Sequence, residues 1–271
     1  GSLVLQPVAG QQVLVDGVEF QALVQRVAQL EQQQAQLLSG ACTPVADSTT
    51  ITGLGDGDNK WRGGVLANNG KIYGIPYNSP SVLIIDPTAD TADITTITGL
   101  NGLGKWFGGV LASNGKIYGI PEASPSVLIV DPATDTADDT TVTVLEDENK
   151  WRGGVLANNG KIYGVPLNSP SVLIIDPTTN ATDISAISGL GAGGYKWAGG
   201  VLANNGKIYC MPQNTPSVLI INPMTNTTVT IAGLGDGGWI FGQVLANNGK
   251  IYVIPFWPAS VLIVDPTTDT A

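Results

Sequence analysis

The chain has 271 residues, of which 43% are apolar and only 13% are charged, and its formal net charge is −10. A core of ordinary size is available without metals or disulfides, and the shortage of Lys and Arg argues against nucleic acid or an anionic membrane surface as a partner. No apolar run reaches the length of a membrane span, so no membrane insertion is expected. The sequence has no histidine and only two cysteines, so neither a metal site nor a cofactor is predicted.

The first predicted element is a helix over 16–39, inside an N-terminal region of residues 1–46. Asp16 and Glu19 have the spacing of a capping box, and Gly40 supplies a stop. The apolar positions then alternate in steps of three and four, which is typical of a coiled coil; they are Phe20, Leu23, Val27, Leu30 and Leu37. Two interpretations stay open. The narrow stripe favours self-association into a homo-oligomer, but the helix could instead lie across the rest of the chain.

Residues 47–271 are built from one repeated unit. Lys60–Pro76 reads KWRGGVLANNGKIYGIP, and close copies follow four more times. The tryptophans mark the repeat, and their separations of 45, 45, 46 and 42 residues are typical of a propeller or a solenoid; they are Trp61, Trp106, Trp151, Trp197 and Trp239.

Each copy predicts four short strands, which in the first copy are WRGGVLA, KIYGIP, SVLIIDP and ITTITGL. Asn69-Gly70 favours a tight hairpin turn between the first two. The third strand, Ser81–Asp86, is apolar on both faces and must be covered on both faces, as a blade is by its neighbours in a propeller. The sequence therefore predicts an all-β, five-bladed β-propeller of four-stranded antiparallel blades. The Gly-Gly pairs would line the hub, and the tryptophans would wedge between blades as a structural hub.

The ends of the repeat region predict how the ring closes. The last copy stops after its third strand, and Thr49–Leu54 is available as its fourth. This one-plus-three closure resembles that of WD-repeat propellers and would leave no unpaired inner edge.

The segment Gly233–Pro255 resembles the repeat of tachylectin-type lectins in its Gly-Gly-Trp, the apolar strand after it and the Asn-Gly turn. The SVLIIDP strand departs from that pattern, and Asp86-Pro87 stands where WD repeats have Trp-Asp. The repeats are also similar to those of algal and protist proteins of unknown activity. The tachylectin resemblance implies sugar sites between blades but transfers no individual binding residue.

Candidate ligand-binding residues lie where the copies differ, in the loop before the first strand and the loop after the second. Rigid scaffolds usually carry their binding groups on such loops, and an aromatic ring beside polar groups suits a sugar. The alternative is that these surface loops have diverged in sequence without any role in binding. The candidates are Asp56, Asp58, Asn59, Tyr77, Glu122, Glu146, Gln213, Phe256 and Trp257.

Two smaller choices concern the Asp of the IIDP segments and the cysteines. Asp86 and its equivalents are expected to make Asx turns, and a ring of carboxylates for a metal is the alternative. A buried free thiol is favoured at Cys210 over a bridge to Cys42, because the other copies have Gly or Val there.

Together these features predict a non-catalytic recognition module, a multivalent, lectin-like propeller that binds glycans and is displayed on a coiled-coil oligomer. Two Asn-X-Thr sequons, at Asn180 and Asn226, fit an extracellular or cell-surface protein. A scaffold that binds other proteins is the alternative, and an enzyme acting on glycans is the third hypothesis. The chain is predicted not to be an enzyme, because near-identical blades without histidine offer little asymmetric chemistry.

Overall fold

The structure is a computed structural model of the chain. It describes residues 14–15, 18–19, 24–31, 46–144, 150–235, 242–256 and 258–271. The chain divides into two compact units, residues 1–49 and 50–271. Predictions for Cys42, Glu146, Trp239 and Trp257 lie outside the described residues, as does the predicted helix at 16–17, 20–23 and 32–39.

The N-terminal unit contains a short hairpin and a helix. Strands Leu14–Val15 and Val18–Glu19 pair antiparallel, with Leu14 opposite Glu19, and a helix covers residues 24–31. The prediction of a helix from residue 16 is therefore wrong at 18–19. The sequence between the two strands is Asp-Gly, the strongest short hairpin signal, and it prevails over the capping-box spacing. The described residues show only a short helix, with Val27 and Leu30 of the predicted seam exposed.

The second unit is a five-bladed β-propeller of antiparallel blades, which confirms the predicted fold class. Blade one consists of Trp61–Leu66, Ile72–Pro76, Leu83–Asp86 and Thr91–Asp93. Blade two consists of Trp106–Leu111, Ile117–Pro121, Leu128–Asp131 and Thr136–Asp138. Blade three consists of Trp151–Leu156, Ile162–Pro166, Leu173–Asp176 and Ala181–Asp183. Blade four consists of Trp197–Leu202, Ile208–Pro212, Ser217–Asn222 and Thr227–Ala232. Blade five consists of Gly242–Leu245, Ile251–Ile254 and Leu262–Val264.

The fourth strand differs from the prediction in blades one to three. In blade one it is Thr91–Asp93 and not the threonine-rich stretch 94–100. The Asp93 carboxylate accepts hydrogen bonds from the backbone N–H groups of Thr95 and Thr96, at 2.6 and 3.2 Å, and so turns the chain out of the ladder. The chain rejoins the third strand further on, where the Val82 N–H donates to the Ile97 carbonyl.

The closing strand also differs from the prediction. Residues 49–54 form no strand, and blade five has three strands extended by a single bridge between Asp265 and Thr270. The C-terminal residues of the chain thus begin the outer edge that Thr49–Leu54 was predicted to supply.

The core lies between the blades, in four apolar clusters, one for each pair of consecutive blades. Trp106 packs in the first of them with Val65 and Ile75 of the preceding blade. Its indole Nε1–H donates to the Ser126 carbonyl at 2.7 Å, so the ring is fixed in orientation as well as buried. No helix among the described residues could span a membrane.

A buried lysine precedes the tryptophan of blade two. The Lys105 Nζ donates to the carbonyls of Tyr77, Ser79 and Gly102 at 2.9–3.0 Å, and its side chain is almost completely enclosed. Carbonyl dipoles replace water but bring no opposite charge, and burial lowers the pKa of Lys105 to about 8.

This lysine predicts how stability varies with pH. Between pH 8 and 10 the unfolded chain keeps the Lys105 proton while the folded chain loses it, so the free energy of unfolding should rise with pH over this window. The rise should be clearly smaller in Lys105→Met, where the Lys196 contribution remains because burial lowers the pKa of that lysine too. It should be unchanged in Lys116→Met, a control at a lysine whose side chain is 41% exposed. Denaturant unfolding at several pH values measures it, and an equal rise in Lys105→Met would refute the assignment.

Candidate functional site

The blades differ most at two positions near one end of the inner strands. The first is the residue after the tryptophan of the inner strand; it is occupied by Arg62, Phe107, Arg152 and Ala198. The second follows the proline that ends the second strand; it is occupied by Tyr77, Glu122, Leu167, Gln213 and Phe256. The pairing of Trp61 with Pro76 brings the two positions of a blade to the same end of the sheet.

Where two blades meet, the second position of one blade faces the first position of the next. Tyr77 and Phe107 make an edge-to-face contact with their ring centroids 6.2 Å apart. Glu122 and Arg152 form an ion pair. The corresponding residues of the next interface, Leu167 and Ala198, are both apolar and buried. The pair of residues that face each other is therefore aromatic at the first interface, charged at the second and aliphatic at the third.

The ion pair is bidentate and nearly enclosed. Arg152 donates from Nη2 to Glu122 Oε1 at 2.6 Å and from Nε to Oε2 at 3.1 Å, and the two side chains are 19% and 1% exposed. Arg152 Nη1 also donates to Gln213 Oε1 at 3.2 Å, and the Tyr77 hydroxyl donates to Glu122 Oε1 at 3.4 Å. Burial, together with the nearby Glu122 charge, raises the pKa of Tyr77. Four blades thus contribute to one hydrogen-bonded network.

A second arginine joins the network through aromatic rings. The Phe107 centroid lies 4.9 Å from the guanidinium carbon of Arg152 and 5.6 Å from that of Arg62. Arg62 is also 5.2 Å from the Tyr77 ring and donates to the Asn59 side-chain oxygen. Among the described residues it has no carboxylate partner. The sequence has three arginines, and these are two of them.

Tyr195 completes the cluster from an unusual backbone conformation. It has φ +48°, and the residues at the same place before the lysine in blades one and two, Asn59 and Gly104, also have positive φ. Asn and Gly tolerate this left-handed region, whereas a bulky side chain there is strained. The Tyr195 N–H donates to the Asn168 side-chain oxygen at 2.8 Å. The ring centroid is 6.0 Å from the Arg152 guanidinium and the residue is 39% exposed.

Seven residues of four blades and their loops therefore form what we call the aromatic–arginine cluster: Asn59, Arg62, Tyr77, Phe107, Glu122, Arg152 and Tyr195, with Gln213 at its edge. Four of the sequence-predicted site residues lie in it or at its edge; they are Asn59, Tyr77, Glu122 and Gln213. Asp56 and Asp58 are exposed in the preceding loop, and Phe256 is half exposed on blade five.

The sequence analysis missed Arg62, Phe107, Arg152 and Tyr195. The sequence did contain a signal for Arg62, Phe107 and Arg152. They occupy one position of the repeat, which varies between blades one to four while the tryptophan before it and the glycine after it do not change. Binding residues were predicted only in the loops, and the inner strand was predicted to be scaffold.

The IIDP carboxylates make the expected Asx turns. Asp86 and Asp131 accept from the backbone N–H two residues later, at 2.9 and 3.0 Å, and Asn222 does the same in blade four at 3.0 Å. In the part of the chain that the structure describes, no three His, Cys, Asp or Glu side chains come together as a metal site would require.

No family model matches this chain, and no curated protein matches it either. It is similar in structure to virginiamycin B lyase from Staphylococcus aureus, with 10% identity and a TM-score of 0.64 over 78% of this chain and 69% of that one. The extracellular domain of a one-component system from Bacteroides thetaiotaomicron gives 14% identity and a TM-score of 0.61 over 81% of this chain and 31% of that one. An auxiliary nutrient-binding protein from Bacteroides ovatus gives 15% identity and a TM-score of 0.55 over 71% of this chain and 56% of that one. At these identities the likeness shows the fold alone.

These likenesses correct two predictions. The neighbours are lyases and bacterial binding or sensor domains, and not the tachylectin-type or WD-repeat propellers that the sequence suggested. The prediction that the chain is not an enzyme is contradicted, because the same architecture carries lyase activity in virginiamycin B lyase. The argument from equivalent blades also fails, since the aromatic–arginine cluster is asymmetric. One form of that lyase with a histidine replaced by alanine is described as catalytically inactive, and this chain contains no histidine.

Proposed function

We propose that residues 47–271 form a recognition module that binds an acidic glycan at the aromatic–arginine cluster. The observation that carries the proposal is the contrast between equivalent interfaces. Leu167 and Ala198 fill one interface with apolar side chains, whereas the preceding interface buries Glu122 and Arg152. A buried ion pair is weak support for stability, so its presence here favours a role in holding Arg152 and the rings around it in a fixed arrangement.

The chemistry of the cluster favours a sugar that carries a carboxylate or sulfate. Arg62 offers a guanidinium with no carboxylate partner among the described residues, and guanidinium groups match such anions in geometry. The Tyr195 ring is partly open and suits the apolar face of a sugar ring. Asn59 and Gln213 add amide groups that can pair with hydroxyls.

The strain at Tyr195 supports the same proposal. A tyrosine in the left-handed region costs roughly 1–2 kcal/mol relative to glycine, and Asn or Gly stands there in blades one and two. Strained residues that persist in a fold tend to lie at functional sites. A residue that lowers stability while adding an exposed ring next to Arg152 fits a ligand contact.

Tyr195→Asn should therefore separate stability from binding. The variant should raise the free energy of unfolding by up to about 1 kcal/mol, because asparagine tolerates positive φ. Affinity for the glycan should fall at the same time. Thermal unfolding and binding titrations on the same samples measure the two effects, and a variant that is neither more stable nor weaker in binding would contradict this role.

The decisive experiment compares acidic and neutral sugars. A glycan array followed by calorimetric titration should show binding to oligosaccharides of uronic acids that exceeds binding to their neutral counterparts by at least tenfold. Arg62→Gln should remove this preference. Arg26→Gln, which makes the same charge change at the remaining arginine, is the matched control and should retain it.

If neither acidic nor neutral glycans bind at high protein concentration, the proposal is overturned. Protein partners that remain bound in excess sugar would favour the scaffold alternative. Display on an oligomer through the N-terminal region, residues 1–46, and an extracellular location remain parts of the same proposal. The extracellular domains among the structural neighbours are consistent with that location.

A further inference from the structure

Each blade has two different apolar faces. The trailing face of one blade, which in blade one includes Val65, Ile75, Val82 and Ile84, packs against the leading face of the next. The leading face of blade two consists of Trp106, Ile117, Leu128 and Val130 in the same cluster. The same combination recurs at the interfaces of blades two with three, three with four and four with five.

The two faces at the ends of this series are exposed. On the trailing face of blade five, Val261 and Ile263 are 52% and 44% exposed, while the equivalent Val218 and Ile220 of blade four are buried. On the leading face of blade one, Leu66 is 63% exposed. Leu111, its equivalent in blade two, packs against the first cluster. A trailing face and a leading face therefore stand open on the same molecule.

A polar latch accompanies each complete interface. In blade one, Asn69 Nδ2 donates to the Pro132 carbonyl of blade two at 2.9 Å, and the Tyr73 hydroxyl donates to Asp135 at 2.5 Å. Lys71 pairs with the same aspartate at 3.1 Å. The latch recurs with an asparagine and a tyrosine donor at each of the next three interfaces; the donors are Asn114, Tyr118, Asn159, Tyr163, Asn205 and Tyr209.

The open faces carry the two halves of one more latch. Blade five has the donors Asn248 and Tyr252, and the Asn248 amide is bonded to the Tyr252 hydroxyl at 3.0 Å as in the other blades. Lys250 pairs with Asp265 of its own blade at 3.1 Å. Blade one has the acceptors, the Pro87 carbonyl and Asp90, at the places that Pro132 and Asp135 take in blade two. Asp90 has φ +50°, equal to that of Asp135, so its turn already has the conformation found in a complete latch.

The inner strand of blade five also differs from the other inner strands at the hub. The inner strands of blades one to four approach through glycine, and a Cβ on Gly63 would lie 3.0 Å from the Gly108 Cα. Blade five has Gln243 at the register position that Gly200 holds in blade four. Its side chain fills the hub beside Gly199, within 3 Å of where a Cβ on that glycine would stand. The glycine-to-glycine approach of blades one to four is thus replaced by a side chain between blades four and five.

We propose that the trailing face of blade five binds the leading face of blade one of a second copy of this chain. The two faces are complementary because the same pair packs four times inside the molecule. Lys250 would exchange Asp265 for Asp90 and so pair across the interface as Lys71 does with Asp135. Since the faces differ, the contact is head-to-tail, and each added copy presents a new open face at both ends. The interface continues the propeller from one chain into the next.

Crosslinking between two single-cysteine variants tests this proposal. Lys250→Cys and Asp90→Cys are made separately, each with Cys42→Ser, while Cys210 is buried. A short bis-maleimide should give a covalent dimer when the two variants are mixed and none with either variant alone. The double variant Lys71→Cys/Asp135→Cys, across a latch inside one chain, is the positive control for the reach of the reagent.

Sedimentation of the full chain supplies a second readout. The average mass should rise with concentration, and Ile263→Asp should reduce that rise by at least tenfold in association constant. Val229→Asp is the matched control. Val229, like Ile263, is an exposed β-branched residue of a strand, but it lies on the outer strand of blade four. A mixture that gives no dimer overturns the proposal, as does a crosslink formed within one monomer carrying both cysteines, which would mean that the ring closes on itself.

Discussion

Replacing Trp151 by alanine is expected to lower the free energy of unfolding by about 3–5 kcal/mol, the cost of removing a buried tryptophan. The ring is fully buried between blades two and three, and its Nε1 donates to the Ser171 carbonyl at 2.8 Å. The loss therefore combines a cavity with an unpaired buried carbonyl. Urea unfolding, followed by tryptophan fluorescence and by circular dichroism, measures it.

Trp61 is the matched control for this prediction. It occupies the same place in blade one and makes the same hydrogen bond, to the Ser81 carbonyl at 2.8 Å, but it is only partly buried because no blade covers its face. Trp61→Ala should cost clearly less than Trp151→Ala in dilute protein. Equal costs would show that the leading face of blade one is covered in solution even at low concentration.

The second large effect concerns the ion pair of the aromatic–arginine cluster. Arg152→Ala should lower the free energy of unfolding by about 3–5 kcal/mol, because it leaves the enclosed Glu122 carboxylate without its partner. The double variant Glu122→Leu/Arg152→Ala should recover to within about 1 kcal/mol of the original chain. It reproduces the Leu167 and Ala198 pair that the next interface already accommodates.

A thermodynamic double-mutant cycle measures both steps. Lys161→Ala is the control for loss of a positive charge, since Lys161 and Asp176 form an exposed pair with 3.8 Å between charged atoms, and its cost should stay below about 1 kcal/mol. If the double variant were as unstable as Arg152→Ala, the ion pair would be a structural requirement of this interface. The argument that it serves binding would then lose its basis.

The fold was predictable because its determinants repeat. In each of the five copies, Asn-Gly precedes the KIYGIP-like strand and fixes the hairpin, and the SVLIIDP-like strand requires cover on both faces. The outer strands were harder, because Asp93 replaces ladder hydrogen bonds with bonds from its own side chain. Blade four has Val229 in place of this aspartate and two residues fewer before Leu234, and it keeps a continuous outer strand over Thr227–Ala232.

The site was predictable only in part. Loop reasoning found Tyr77 and Glu122, because they follow the invariant proline and differ between copies. It could not place Glu122 against Arg152, since that contact crosses from one blade to the next over 30 residues of sequence. The strain at Tyr195 was not visible either, because only the backbone angle shows that this position needs Asn or Gly.

The separation between residues that join blades and residues that differ between them has a consequence for engineering. The aromatic, charged and aliphatic pairs occupy equivalent places in successive repeats of 42–46 residues. Shuffling the order of these repeats in a synthetic gene would bring new pairs of these residues together while keeping the repeated apolar contacts between blades. A small library of permuted genes would thus sample many surfaces on one framework.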